Sequence, residues 1–127
     1  MKHIEEAHRY IDNAKQILSE KAHKEDGRYQ DKKYVRMAGH TAYLGILVAL
    51  DGLFEVKRGG RKKVEWYQGE LAKVDKKMLN KFLNAYEILH LGMGYDGDLS
   101  AVIANVGLKE AEKIIHWVEI KQDLSNA

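Results

Sequence analysis

Three observations predict an all-α fold for this chain. Proline is absent from all 127 residues, so no residue interrupts a helix by lacking a backbone N–H. Runs of β-branched residues are scarce. Apolar residues instead recur at alternating spacings of three and four, which is typical of one face of an amphipathic helix. We therefore expect a four-helix up-and-down bundle with one additional short helix, formed as a single domain over residues 1–127.

The first predicted helix occupies the start of the chain. Its apolar positions are Ile4, Ala7, Ile11, Ala14 and Leu18. Polar side chains fill the positions between them, so one face is expected to pack on a core while the other contacts solvent. We expect this helix to end at residues 22–24, before the turn-forming sequence at residues 25–27.

The second predicted helix, at residues 31–56, contains the most apolar sequence. Its middle, HTAYLGILVALDGLF, is apolar on nearly every side, so we expect this helix to be the most buried element. Small residues recur within it at Ala38, Gly39, Ala42, Gly45 and Ala49. Because a small side chain lets a neighbouring backbone approach, these positions predict close helix packing, at some cost in helix propensity.

The remaining sequence predicts one short helix and two long ones. A basic loop, KRGGRKK at residues 57–63, precedes a short helix with the sequence VEWYQGELA. Asp75 is the predicted N-cap of a helix that ends near residue 91. GMGYDGD, residues 92–98, predicts a turn in which glycines end the helix at positive φ. The last helix is expected over residues 99–121, uninterrupted by Gly107.

Composition and charge narrow the classes of function. The net charge of +2 does not by itself imply a nucleic-acid partner, and the absence of cysteine excludes disulfides and thiolate chemistry. The longest apolar run has nine residues, whereas a membrane-spanning helix needs about 20. The opening sequence, MKHIEEAHRY, lacks the apolar core of a signal peptide. We therefore expect a cytoplasmic protein without membrane contact.

Two Glu-x-x-His patterns raise the question of a di-metal centre of the kind found in helical bundles. They are Glu5 with His8, and Glu87 with His90. At about 100° per residue, both glutamates lie opposite the apolar face of their helix, and both histidines lie at its edge. Exposed polar pairs explain this pattern better than metal ligands do. We therefore predict no metal site and no cofactor.

The basic loop is the strongest charge cluster in the sequence. Its cationic residues are Lys57, Arg58, Arg61, Lys62 and Lys63. Trp66 and Tyr67 follow closely, so the loop has the residue types to bind phosphates and stack a base, as in a nucleic-acid-binding site. The alternative interpretation is a solvated loop, with Trp66 anchoring the short helix to the bundle.

The histidines outside the Glu-x-x-His patterns are interpreted as structural. His3 and His23 are expected to face solvent. His40 and His116 lie in apolar helical stretches, so each is expected to be buried and hydrogen-bonded.

Four segments together resemble the HEPN superfamily, small all-α domains named for nucleotide binding in higher eukaryotes and prokaryotes. They are AHRYIDNAKQIL, AGHTAYLGILVALDGLF, YEILHLGMGYDG and GLKEAEKIIHWV, and the resemblance covers nearly the whole chain. It implies a HEPN-like bundle that forms a homodimer, in some members paired with a nucleotidyltransferase-type antitoxin. Many members are metal-independent ribonucleases whose motif is an arginine, four to six residues and a histidine, often followed by a tyrosine.

On that resemblance, His90 matches the motif histidine, and Tyr95 corresponds to the tyrosine at a longer spacing. The arginine is missing, because the three positions where it would stand are Leu83, Asn84 and Ala85. Asn84 can donate a hydrogen bond but has no charge with which to hold a phosphate. The resemblance therefore implies a candidate catalytic set of His90, Asn84 and Tyr95 that lacks its usual cation.

Three functions remain open on the sequence alone. The first is a non-catalytic, dimeric HEPN-like module that binds RNA, a nucleotide or a partner protein, and the missing arginine favours it. The second is a metal-independent ribonuclease, the toxin of a toxin–antitoxin pair, with a degenerate motif at His90. The third is a structural adaptor with no nucleic-acid role.

Overall fold

The computed structural model describes residues 2–126 of the chain, and the side chains of residues 2–125. In chain order its elements are α1 (Lys2–Lys21), β1 (Lys24–Glu25), β2 (Arg28–Tyr29), α2 (Lys32–Leu53), α3 (Val64–Val74), α4 (Lys76–Ala85), a π-helix (Tyr86–Tyr95) and α5 (Ala101–Asn126). Within residues 2–126, strand is confined to the antiparallel β1–β2 hairpin. The prediction of an all-α fold, with four long helical segments and one short helix, is confirmed.

Contacts between side chains show that α1 and α5 run in opposite directions. His3, at the start of α1, is hydrogen-bonded through Nε2 to Oε1 of Gln122, near the end of α5, at 2.5 Å. Further along α1, Lys15 Nζ pairs with Glu112 Oε1 at 2.5 Å. Because later residues of α1 meet earlier residues of α5, the two helices are antiparallel neighbours.

The central element is α2, which contacts α1, the π-helix and α5. On one side, Gly45 packs so closely on α1 that a Cβ there would lie 3.0 Å from the Tyr10 Cβ. On another side, a Cβ at Gly39 would overlap the backbone carbonyl oxygen of Leu89 in the π-helix. The prediction that small residues allow close packing in this helix is confirmed at both positions. In the described part of the chain, no helix is long and apolar enough to cross a membrane.

The predicted break after α1 is a hairpin with left-handed backbone at three positions. His23, Asp26 and Gly27 have φ values of 53°, 51° and 77°. The hairpin is tied to the start of α5, because the Tyr29 N–H donates to the Leu99 carbonyl at 2.8 Å. Asp75 caps α4 as predicted, since its carboxylate accepts the Met78 N–H at 3.1 Å. The last helix is continuous, as expected.

The segment at residues 92–98 is the main departure from the predicted secondary structure. The expected helix end near residue 91 is wrong, because the chain continues as a π-helix through Tyr95. The Asp96 N–H donates to the Leu91 carbonyl at 2.9 Å, five residues back, as π-helical geometry requires. Among the glycines of this segment, positive φ occurs only at Gly97. Gly94 instead makes room for a neighbour, since a Cβ there would lie 2.6 Å from the His40 ring.

Candidate functional site

The structure places His90 inside a group of aromatic rings where α2 meets the π-helix. This histidine–aromatic cluster consists of His40, Tyr43, Tyr86, His90 and Tyr95. The His90 ring lies 4.5 Å from Tyr43 and 5.2 Å from Tyr86, centroid to centroid, with interplanar angles of 35° and 30°. Its edge contacts are at 5.4 Å to His40 and 5.1 Å to Tyr95. His90 is therefore enclosed by rings on several sides.

The π-helix brings Tyr86, His90 and Tyr95 onto one face. These residues are spaced four and five apart. In an α-helix, at about 100° per residue, a spacing of five would turn Tyr95 about 140° away from His90. In a π-helix, where each turn holds more residues and the hydrogen bonds run from i to i+5, the same spacing keeps the rings adjacent. His90 therefore lies within the π-helix, with Tyr86 and Tyr95 on the same face.

His90 has an unusual electrostatic environment. Its Nδ1 is buried and has no hydrogen-bond partner among the described residues. Burial lowers the pKa of His90 below its ordinary value, and repulsion from His40 lowers it further. The ring is therefore neutral near pH 7 and able to accept a proton or a hydrogen bond. A buried polar atom without a partner is uncommon in native folds and is often a mark of function.

A cation that the sequence analysis missed lies at the edge of the cluster. Arg36 precedes His40 by one turn of α2 and is exposed. Its Nε is 3.2 Å from where a Cβ at Gly97 would stand, two residues after Tyr95. In the described part of the chain, Arg36 is in no ion pair. The sequence signal for Arg36 is its position one turn before His40. That signal becomes informative once His40 is known to contact the π-helix.

The three residues of the candidate catalytic set do not come together as the motif suggested. His90 and Tyr95 are in contact, with Tyr95 61% exposed. Asn84 is exposed on α4, six residues before His90, and the helix changes from α to π between them. It is not part of the cluster, and His40 is the polar side chain that contacts His90 instead.

Several histidines differ from their expected environments. His40 is half-buried and contacts rings, with no hydrogen bond from its side chain in the described part of the chain. His116 is exposed, whereas burial was expected, and His3 is half-buried and bonded to Gln122. In the described residues, no group of three or more histidine, aspartate or glutamate side chains is placed to hold a metal ion.

The basic loop follows the C-terminal end of α2, whereas the cluster contacts the middle of that helix through His40 and Tyr43. His40 and Leu53 are 13 residues apart in α2, which is about 20 Å at ~1.5 Å per residue. The loop is fixed by Asp51, whose Oδ2 accepts bonds from Arg61 Nε and Nη2 at 3.1 and 3.0 Å. The Tyr67 hydroxyl donates to Asp51 Oδ1 at 2.5 Å. Burial, and then this hydrogen bond, raise the pKa of Tyr67 to about 12.

The five cations of the loop do not share one surface. Lys57, Arg58 and Arg61 line a cleft against α1. Lys62 Nζ instead lies 5.7 Å from the Trp66 ring centroid, a cation–π contact at the start of α3. Lys63 is exposed immediately before that helix. The Asp51–Arg61 bond therefore holds the loop, and the five cations are distributed over two surfaces rather than one phosphate-binding surface.

Comparisons with known proteins give the chain a family. The family model described as "Domain of unknown function (DUF5618)" matches residues 2–120, and the chain belongs to that family. A solved structure described as a "protein of unknown function from Dyadobacter fermentans" is 52% identical, covers 95% of this chain and 96% of that one, and has a TM-score of 0.89. No curated protein matches the chain. The family model and the similar solved structure therefore establish the family and the fold of the chain.

Proposed function

We propose that this member of the DUF5618 family is a non-catalytic, HEPN-like module that binds RNA or a nucleotide at the histidine–aromatic cluster. The observation that carries the proposal is the ring of Tyr95, which is 61% exposed and packs edge-on against His40 and His90. Unpaired bases are commonly held by stacking on Tyr or His rings and by hydrogen bonds to their edges. The exposed Tyr95 ring offers the stacking contact, and the half-buried His40 beside it, whose side chain makes no hydrogen bond in the described part of the chain, can supply a hydrogen bond.

Tyr95 is the stacking platform in this proposal. Its ring is held edge-on by His40 and His90, at centroid distances of 5.3 and 5.1 Å, and most of the side chain remains exposed. Stacking of one base on an aromatic ring contributes about 1–3 kcal/mol. Arg36 and Lys32, both exposed on α2 near Gly97, supply cations for a neighbouring phosphate.

A homodimer is part of the proposal, because exposed apolar side chains surround the same region. Met37 and Leu91 are 44% and 37% exposed. Val102, Ile103 and Val106 are exposed on the first turns of α5, where α5 packs on the π-helix. Exposed apolar groups on this scale favour a protein interface. A nucleotidyltransferase-type antitoxin is the alternative partner for this surface.

RNA cleavage is a second candidate function, favoured by the contact between His40 and His90. In such a reaction one histidine removes the proton from a ribose 2′-hydroxyl, whose oxygen then attacks the phosphorus. The other histidine protonates the departing 5′-oxygen, so that the protons balance. Arg36 would stabilise the negative charge that develops on the phosphate. His90, neutral near pH 7 because its pKa is lowered, suits the base in this scheme.

The test is a binding assay with labelled single-stranded RNA at low and physiological salt, with EDTA present. Tyr95→Leu should weaken binding about tenfold, which corresponds to the loss of one stacked base. Tyr95→Phe keeps the ring and should bind like the parent. The proposal fails if the parent does not bind RNA or a mononucleotide, or if Tyr95→Leu binds as well as the parent.

The same assay separates the other functions. Cleavage by the parent that is lost in His90→Ala and in His40→Ala would establish the ribonuclease in place of the non-catalytic module. Absence of both binding and cleavage would favour the structural adaptor, and sedimentation of the purified protein would then test the homodimer independently.

A further inference from the structure

A cleft of about 580 Å³ opens between the start of α1 and the basic loop, and it contacts α2 at Val48, Asp51 and Gly52. Lys2 and His3 form its wall on α1, and Lys57 and Arg58 form its wall on the loop. Gly52 makes this arrangement feasible, because a Cβ at that position would overlap the His3 ring. The hydrogen bond between His3 and Gln122 then fixes the imidazole in place.

The cleft is lined by more positively charged than negatively charged side chains. Four cations line it, together with the carboxylates of Glu6 and Asp51, so its net charge is +2 with His3 neutral. The whole chain also has a net charge of +2, which means that charges elsewhere cancel. The cleft itself has an excess of two positive charges on a concave surface, which attracts anions.

The two lining carboxylates do not neutralise the cations that face the cleft. Asp51 is occupied by Arg61 and by the Tyr67 hydroxyl. Its exposed fraction is 17%, against 41% for Arg61. Lys2, Lys57 and Arg58 are in no ion pair in the described part of the chain. Three unpaired cations thus converge on one cavity, with Glu6 as the remaining acid.

The shape favours a compact anion over an extended strand. Lys62 and Lys63 do not line the cleft, so the loop offers no continuous row of cations for a phosphate backbone. We propose that the cleft between α1 and the basic loop binds a small phosphate-bearing anion, such as pyrophosphate or the polyphosphate of a nucleotide. Lys2, Lys57 and Arg58 contact the phosphate oxygens, and the Asp51–Arg61 pair holds the loop in position.

The experiment is calorimetric titration of the full chain with inorganic pyrophosphate at low salt. The double variant Lys57→Gln/Arg58→Gln should weaken binding about tenfold or more, since two charge-assisted contacts are lost. The matched control is Lys62→Gln/Lys63→Gln, which removes the same charge from the same loop outside the cleft and should bind like the parent. All four side chains are exposed, so both variants should remain folded, and the control variant loses the cation–π contact of Lys62 with Trp66.

Each outcome of the titration decides the proposal. Binding that depends on the cleft pair and not on the control pair supports it, and tighter binding of ADP than of pyrophosphate, lost in the cleft double variant, would identify a nucleotide as the source of the phosphate. Absence of pyrophosphate and ADP binding, or equal loss in both double variants, would overturn it. Tyr95→Leu should leave pyrophosphate binding unchanged, so this proposal and the RNA-binding proposal can fail independently.

Discussion

The histidine–aromatic cluster contacts α2 at His40 and Tyr43, the basic cleft contacts it at Val48, Asp51 and Gly52, and the two regions are built by different forces. The cluster is held by packing: Gly39 and Gly94 bring the two helices together, and the His90 ring has contacts with four other rings. The cleft is held by polar bonds from Arg61 and Tyr67 to Asp51. The first region should therefore be sensitive to added volume, and the second to the loss of one carboxylate.

The largest effect on stability is expected at Gly39, where α2 packs against the π-helix. Gly39→Ala introduces a Cβ that overlaps the Leu89 carbonyl and would lie 2.6 Å from the Met93 Cβ. Overpacking of this kind costs about 1–3 kcal/mol, which exceeds the gain of about 1 kcal/mol from replacing a helical glycine by alanine. We expect the free energy of unfolding, measured by urea titration, to fall.

Gly69→Ala is the matched control for that change. Gly69 lies within α3, and nothing stands within 4 Å of the Cβ that alanine would add there. The same substitution should therefore raise the free energy of unfolding, by about 0.5–1 kcal/mol. Equal stabilisation by both variants would mean that α2 and the π-helix are not in the close contact described.

A smaller loss of unfolding free energy is expected at Asp51, which holds the basic loop through Arg61 and Tyr67. Asp51→Asn removes the charge that holds Arg61 and weakens the bond from the Tyr67 hydroxyl. Loss of such a partner costs about 1–3 kcal/mol when the remaining groups are buried, and the exposure of Arg61 places this change near the lower limit. Urea titration would measure it, with Arg61→Gln isolating the part due to the ion pair.

The same variant should change the titration of Tyr67. Burial and the bond to Asp51 raise the pKa of Tyr67 to about 12, so removing the carboxylate charge should lower it. A raised pKa in the folded state contributes stability below the ordinary value of about 10, and that contribution is lost as the pH rises toward 12. The parent should therefore lose stability between about pH 10 and 12, and Tyr67→Phe should reduce this slope. An unchanged tyrosinate absorbance titration in Asp51→Asn would contradict the assignment.

The difference between the two regions also explains which features the sequence could reveal. The apolar spacing of α1, the Asp75 cap and the small residues of α2 are local patterns, and each led to a correct prediction. The basic loop was visible because its charges are adjacent in sequence. The π-helix could not be predicted from the sequence, because residues 84–91 fit an α-helical pattern equally well. Its geometry accompanies contacts with Gly39 and His40, which are distant in sequence.

The smallest effect is expected on the pKa of His90. Two variants separate the contributions of burial and of repulsion from His40, which both lower this pKa. Burial is the larger cause of the lowered value and repulsion from His40 the smaller. His40→Phe keeps a ring in place and removes only the repulsion, so the pKa of His90 should rise but remain below its ordinary value of ~6.5. Tyr95→Ala uncovers the His90 ring and should raise the pKa more. NMR titration of the His90 ring proton would measure both shifts.

These shifts also fix how stability depends on pH near neutrality. A histidine with a lowered pKa in the fold contributes stability above its unfolded value of ~6.5, and that contribution is lost as the pH falls through the folded value. The parent should therefore lose more stability than Tyr95→Ala, each relative to its own value at pH 7, as the pH is lowered toward 5. If His40→Phe raised the pKa more than Tyr95→Ala did, charge repulsion would be the dominant force on His90, and the cluster would be less well sealed by packing than its ring contacts indicate.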